Sequence, residues 1–363
     1  MQATLAELAV LVKGQLVGDG NLIIRGAAPL QDAEPGEITL IDQQEKNQNP
    51  DACRAAAAVV PEGVRPKGLP AIQVDNVHRA FTALMLHFHP RPAARRIGVS
   101  PLASVSPTAR IAADVDIHPF ATVGDGATVD SGTTIHSGVH VMAGSQIGRD
   151  VTIFSNAVLY ENTVVGPRSV IHANAVLGAY GFGYVCVEGR HQLTAQLGNV
   201  ILGADVEVGA GTTIDRGTYG PTMIGDGTKI DDQVMVAHNC RIGRHNMLCS
   251  QVGIAGSTST GDYVVMAGQV GVRDHVHIGA GAVLGAMAGV SNDVPAGLRV
   301  IGIPATPERE QKIKQAALSK LPEMRHDLKR LMGTVEKLVA RIESLECLGV
   351  QLDDSPQDSR AVA

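Results

Sequence analysis

The chain has 363 residues, 44% of them hydrophobic, with 41 glycines, no tryptophan and 3% aromatic side chains, a composition suited to a narrow core of small aliphatic groups. A formal net charge of -6 supplies no basic stripe of the kind that nucleic-acid binders carry, so no nucleic-acid partner is expected. The five cysteines are odd in number and form no CxxC pair, which argues for reduced thiols rather than a disulfide framework.

Residues 1–97 read as a small α/β head domain. Thr4 followed by Glu7 forms a capping-box pattern for a first helix that Gly14 can end. Strands are expected over 21–25, 37–41 and 56–60. Asp75 is the expected cap of a second helix, whose Val77, Phe81, Leu84, Met85 and Phe88 share one face. A Pro- and Arg-rich passage from His89 to Arg96 reads as a linker. Met1 leads into an amphipathic helix rather than a signal peptide, and no stretch approaches the roughly eighteen apolar residues of a membrane span. The expected location is the cytoplasm, with at most a peripheral place at the inner membrane face.

From 98 to 303 an aliphatic residue recurs at every sixth position. Val105, Ile111, Ile117, Val123 and Val129 begin a series that runs unbroken to Leu177, resumes at Leu202, and continues after a four-residue insertion from Ile224 to Val290. Only Thr260 and Met266 in the last run depart from Val, Ile or Leu. Small or β-branched side chains follow four places later, as at Ala121, Ala127, Thr133 and Ser145. A period of six is the hexapeptide pattern of a parallel β-helix and fits a helical period of about 3.6 badly. His118, His136 and His172 each follow a hexad residue and should point outward. Two interruptions, Gly178 to Val200 with its Gly-Phe-Gly-Tyr string and Gly217 to Thr222, read as loops thrown out from a rigid scaffold, where ligand contacts concentrate.

Residues 304–349 carry an a/d heptad, Met324, Leu328, Leu331, Val335, Leu338, Ile342 and Leu345, which is expected to form a coiled-coil helix. Basic residues such as Arg309, Lys312, Lys320, Arg325 and Lys329 outnumber acids along it. The polar residues 350–363 are expected to be disordered.

His238 and His275 lie 37 residues apart, close to two turns of a three-hexad coil, so both can border one groove. For zinc, His136 with His140 and His275 with His277 are the nearest pairs, but neither has a third ligand at tetrahedral-site spacing, and no metal is expected. Asp215 and Asp231 can each cap a turn. No Ser-His-Asp order, Gly-rich phosphate loop or paired carboxylate motif stands out.

Taken together, the head, the hexad prism, Gly181 to Tyr184, the Thr-Thr-Ile-Asp-Arg-Gly string at 212–217, the Val-Ala-His-Asn string at 236–239 and the helical tail resemble one family. It is the UDP-3-O-(3-hydroxyacyl)glucosamine N-acyltransferases of lipid A biosynthesis, hexapeptide-repeat acyltransferases. The resemblance covers nearly the whole chain. It implies a left-handed parallel β-helix and a homotrimer with active sites between subunits. It further implies transfer of a 3-hydroxyacyl chain from acyl carrier protein to the 2-amine of a UDP-linked 3-O-acylglucosamine. No cofactor would be bound permanently, since the 4'-phosphopantetheine arm belongs to the carrier protein.

By the same resemblance His238 is the general base, with Asp231 and Asn239 as its orienting candidates and the Gly256 N–H as oxyanion donor. His275, Phe182, Tyr184 and Gln196 in the prism, with Leu40 and Gln43 in the head, would contact substrate. The basic tail would meet the acidic carrier protein. Two departures from the family pattern stand out. Residues 40–46 contain no aromatic where the family grips uracil, and residue 180 is Tyr where the family commonly has Asp. The alternatives are an acetyl-CoA-dependent N-acetyltransferase of nucleotide sugars, which the same base would serve, and a non-catalytic trimeric β-helix scaffold.

Overall fold

The computed structural model describes residues 2–42, 54–66, 68–90, 96–302 and 307–352. The chain divides into two compact units, Met1–Arg96 and Ile97–Ala363.

In the first unit, helix α1 (Leu5–Leu11) starts on the expected capping box. Thr4 Oγ1 accepts the Glu7 N–H at 3.2 Å, and the Glu7 carboxylate accepts the Thr4 N–H at 2.8 Å. A five-stranded sheet follows in the order Gln15–Val17, Ala71–Val74, Ala57–Pro61, Glu37–Leu40, Gly26–Ala27. Its first pair is antiparallel and the remaining pairs are parallel. Strands covered on both faces lose polar alternation, which is why Ala57 to Val60 are all fully buried. The expected strand over 21–25 shortens to Ile23–Ile24 and pairs with Ala3–Thr4 outside that sheet. Helix α2 (Val77–Phe88) is capped by Asn76 rather than Asp75. Asn76 Oδ1 accepts the Arg79 N–H at 2.9 Å, while Asp75 turns outward to pair with the Arg79 guanidinium at 3.0 Å. Val77, Phe81, Leu84 and Phe88 bury the expected face, with Met85 packed at its edge.

The second unit is a parallel β-helix with three faces, sheets of ten, ten and nine short strands. Partners lie eighteen residues apart, as with Asp116 and Thr134, so a turn holds three hexads. Pairing resumes in step after each insertion, Val164 with Ile201 and Glu207 with Lys229, and a bulge between Leu177 and Ala179 marks where the first insertion leaves. The first insertion forms a hairpin, Tyr184–Val187 with Arg190–Leu193, and the second a short bend. Corners turn through left-handed backbone at Asn156, Asn174, Asn239 and His275, with φ of 63°, 60°, 61° and 59°. Asn is among the residues that best tolerate that region.

Hexad side chains from Ile117 to Leu284 stack inward almost fully buried, with Ala121, Ala127, Ala157 and Ala175 filling the corners. Residues one place further point outward, and there His118, His136, Phe154 and His172 form a stacked column with ring centroids 4.8, 5.0 and 5.3 Å apart. That is the spacing of the strands beneath them. Burial, and then His118, lower the His136 pKa.

The departure at Thr260 has a partner. Its Oγ1 receives the Asn246 amide at 2.6 Å and the Gly243 N–H at 2.9 Å, while Asn246 Oδ1 takes the Val264 N–H at 2.6 Å. Asn246 is fully buried, so each of these bonds replaces water.

Helix α3 (Glu308–Leu352) carries the expected heptad and continues past its expected end at 349, with Pro322 inside it. In the single chain the seam is open: Met324, Leu328, Leu331, Val335, Leu338, Ile342 and Leu345 are all more than half exposed. Residues 353–363, expected to be disordered, lie outside the described residues.

Removing the hydroxyl that Asn246 depends on should expose the energetic weight of this buried pair. Thr260→Val is expected to destabilise the protein by about 1–3 kcal/mol, the desolvation cost of a stranded amide donor. Urea denaturation measures it, and an unchanged midpoint would mean that the pair contributes nothing.

Candidate active site

The second face of the prism brings three successive rungs together. Ile214 pairs Val236, and Val236 pairs Ile254. Arg216, His238 and Gly256 each stand two places after those residues, so they occupy consecutive levels of one corner. His238 is half-buried there, between two glycines that leave room for nothing else. A Cβ on Gly256 would stand 2.6 Å from the imidazole Cε1 and 2.7 Å from Nε2, and one on Gly181 would stand 2.7 Å from His238 Cβ. Among the hydrogen bonds of the described residues, none uses the Gly256 N–H.

Asn239 sits against the other side of the ring, its Nδ2 3.0 Å from His238 Nδ1. Asp231, the second orienting candidate, is not joined to His238 by any hydrogen bond among the described residues. It follows Ile230 on a different sheet, where its carboxylate accepts the Asp232 N–H at 2.8 Å and the Ser250 N–H at 2.9 Å. It lines a separate cavity of about 320 Å³ with His172, Glu207 and Lys229. His275 lies at the same corner on a neighbouring level, its N–H bonded to the Gly256 carbonyl at 3.1 Å. Its exposed ring meets the Asp274 carboxylate at 2.9 Å, and that contact holds the Asp274 pKa below the ordinary carboxylate range.

The hairpin loop supplies the remaining prism candidates. Phe182 and Tyr184 are exposed, with ring centroids 5.1 Å apart. Gln196 is buried, and its Nε2 donates to Thr194 Oγ1 at 3.2 Å. Among the described residues its Oε1 has no partner, and a Cβ on Gly181 would stand 2.9 Å from it. An orphan acceptor buried beside an imidazole is uncommon, because burial without a bond costs about 1–3 kcal/mol. Leu40 closes a strand in the first unit. Gln43 lies outside the described residues.

Three features escaped the sequence reading. Gly253, Gly271 and Gly289 pair with one another on the His238 face, and a Cβ on any of them would meet nothing within 4 Å. With Met235 and with Ala237 and Ala255, the residues that precede His238 and Gly256 in the chain, they line an open groove of about 630 Å³. Arg216 is locked below His238: its Nε donates to the Gly178 carbonyl at 2.7 Å and Nη2 to Glu161 at 2.8 Å. Its guanidinium lies 5.2 Å from the Tyr180 ring centroid and 5.8 Å from that of Tyr160. Tyr180 thus serves Arg216 through its ring face, while Glu161 supplies the carboxylate.

The third is Asp215, only 4% exposed, whose carboxyl is pushed up to about 7 by burial. Cys240 nearby is buried and its thiol is pushed up to about 12, chiefly by desolvation, so it is inert as a nucleophile. Cys186, Cys240 and Cys249 are free thiols. Among the described residues no group of three or more His, Cys, Asp or Glu could hold a metal, and no helix is long and apolar enough to cross a membrane.

Because the folded state holds the Asp215 proton more tightly than an unfolded chain at 3.8, its contribution to stability is full below about pH 4 and is lost as pH rises toward 7. Asp215→Asn should therefore gain stability over the parent across that interval and hold the gain above it, by at most about 4 kcal/mol at 1.36 kcal/mol per unit. Urea denaturation at a series of pH values measures the difference, and a difference independent of pH would contradict the assignment.

Comparison with known proteins places this geometry in context. The family model described as UDP-3-O-(3-hydroxymyristoyl) glucosamine N-acyltransferase, LpxD, matches residues 21–87, and the bacterial transferase hexapeptide (six repeats) model matches residues 144–179 and 221–256. A UDP-3-O-acylglucosamine N-acyltransferase of Rhodopirellula baltica is 60% identical over 336 residues, 92% of this chain and 87% of that one. A relative of the same name from Myxococcus xanthus is 50% identical over 346 residues, 93% of this chain and 98% of that one. Among solved structures, a Francisella novicida UDP-N-acetylglucosamine acyltransferase matches 60% of this chain and 73% of its own at 25% identity, with a TM-score of 0.44.

Proposed function

The chain belongs to the family of UDP-3-O-acylglucosamine N-acyltransferases, hexapeptide-repeat enzymes of lipid A synthesis with a left-handed β-helix, and from that premise we propose a donor and a mechanism. The acyl donor is a 3-hydroxyacyl thioester on the phosphopantetheine arm of acyl carrier protein, and the acceptor is the 2-amine of a UDP-linked 3-O-acylglucosamine. The observation that carries this reading is the His238 imidazole, seated between Gly181 and Gly256 and next in the chain to Ala237, which lines an apolar groove.

The amine attacks the thioester carbon while His238 takes its proton, which imidazole can do near neutral pH. The C–N bond forms, negative charge gathers on the carbonyl oxygen, and the Gly256 N–H beside the ring stabilises that charge. Collapse breaks the C–S bond, and the thiolate recovers a proton from the imidazolium. The acyl tail lies along Gly253, Gly271 and Gly289, where missing side chains leave apolar backbone surface open. Gln196 Oε1 offers an acceptor to a substrate N–H or O–H. His275 and the exposed Phe182 and Tyr184 bind the acceptor, and the head domain, through Leu40 and Gln43, holds the uridine.

The open heptad seam of α3 supports assembly as a trimer, since three such seams would cover one another. Along α3 nine Lys and Arg stand against seven Asp and Glu, an excess of two positive charges. That excess favours an acidic carrier protein over free acetyl-CoA.

His238→Ala is expected to remain folded and to lose at least about a hundredfold in turnover, within the range of general-base removal. Assay with a panel of acyl carrier protein thioesters and the UDP-sugar acceptor, products read by mass spectrometry, tests base and donor together. Turnover with acetyl-CoA alone would reject the donor, and undiminished turnover in the variant would reject the base. In the same assay Gly271→Leu should shift products toward shorter chains, and an unchanged product distribution would place the tail elsewhere.

A further inference from the structure

The Asn239 side chain has one orientation compatible with its surroundings. Its Oδ1 accepts the Thr218 peptide N–H at 2.8 Å, and a peptide N–H can only donate. Turning the amide over would set Nδ2 against that N–H, donor against donor. Nδ2 therefore faces Thr218 Oγ1 at 3.2 Å and His238 Nδ1 at 3.0 Å. An amide NH2 is likewise donor-only, so Nδ1 must present its lone pair, and the proton of the neutral ring sits on Nε2. The Asn239 main chain is tied as well, its N–H to Thr222 Oγ1 at 2.9 Å. Thr218 lies in the inserted bend and Thr222 opens the strand Thr222–Ile224 that follows it, so the bend and its exit strand grip the residue beside the imidazole from two sides.

We infer that Asn239 is a positioning residue that holds His238 in its Nε2–H form in the free enzyme, and that the 217–222 segment must release Asn239 before Nε2 can accept a proton. This rests on the reading of His238 as the base. In the gripped state Nε2 already carries a hydrogen, and a second ring proton at Nδ1 would point into the amide NH2. Once the Thr218 peptide lets go, the amide can turn and present Oδ1 to Nδ1. The ring then loses its Nε2 proton to water and gains one at Nδ1 from water, with no net change in charge. Nε2, which runs along Gly256, is now bare, and the imidazolium formed on taking the amine proton keeps an acceptor at Nδ1. One side chain thus presents a donor to Nδ1 at rest and an acceptor to it during transfer.

Neutron diffraction from deuterium-exchanged crystals of the full chain, grown at a pH where the ring is neutral, reads the tautomer without turnover. The free enzyme is expected to show deuterium on His238 Nε2 and none on Nδ1. Asn239→Asp, with two acceptor oxygens and no donor, should move it to Nδ1. Thr218→Ala keeps the peptide N–H and should leave it on Nε2. Deuterium on Nδ1 of the unaltered protein would overturn the inference, as would an unmoved proton in Asn239→Asp. The wild-type measurement decides even if a variant does not fold. Turnover of His238→Ala separately decides whether the ring is the base, so the two readings fail independently.

Discussion

Everything in the second unit depends on strands stacking in parallel at a fixed interval with one aliphatic side chain of each pointing inward. Most of the strands are only two residues long, and none exceeds four, so individually they would have no stability. Repetition gives each rung a neighbour on both sides, so backbone bonds and buried surface accumulate along the axis as nearest-neighbour terms. The same constraint makes the site possible. Side chains two places past a hexad residue must share a corner, which is how Arg216, His238 and Gly256 come to lie on consecutive levels although they span 216–256.

Rigidity of that kind also explains why the insertions matter. The hairpin and the bend at 217–222 leave the axis at the cost of one bulge, between Leu177 and Ala179, and pairing resumes in step beyond them. Each returns a group to the same corner: Gly181 and Gln196 from the first, Thr218 from the second. The imidazole is therefore framed by the scaffold on one side and by the departures from it on the other, a division between a stiff support and adjustable loops that binding sites commonly use.

Architecture was legible because a period of six is local: Val105 to Leu177 declares it without reference to any distant residue. Thr4 with Glu7 announced its helix for the same reason. The second helix was placed but its cap was not, since Asp75 and Asn76 are equally good caps by chemistry and only the backbone decides between them. His238 was found through a resemblance, not through spacing, and its surroundings were hidden in different ways. Thr218 lies 21 residues from the amide it fixes. Gln196 shows its missing partner only when the loop is folded over it. Gly253, Gly271 and Gly289 carry no side chain to announce a role, and only their pairing as strand residues shows that the absent side chains shape a groove. Asp231 matched the pattern of an orienting carboxylate, yet in its own chain it serves the backbone of the next turn.

A stack of near-identical coils carries its own hazard: aliphatic hexads interchange so readily that a chain could settle one coil out of step and still bury as much oil. The Asn246–Thr260 pair removes that degeneracy. Displaced by a coil, the amide would face an aliphatic side chain, Ile242 or Ile278, and be left dry and unbonded. Where the hydroxyls of Thr133, Ser145, Thr212 and Thr228 bond only to backbone, this side-chain pair thus acts as a keyway, trading a little strength for a preferred fit.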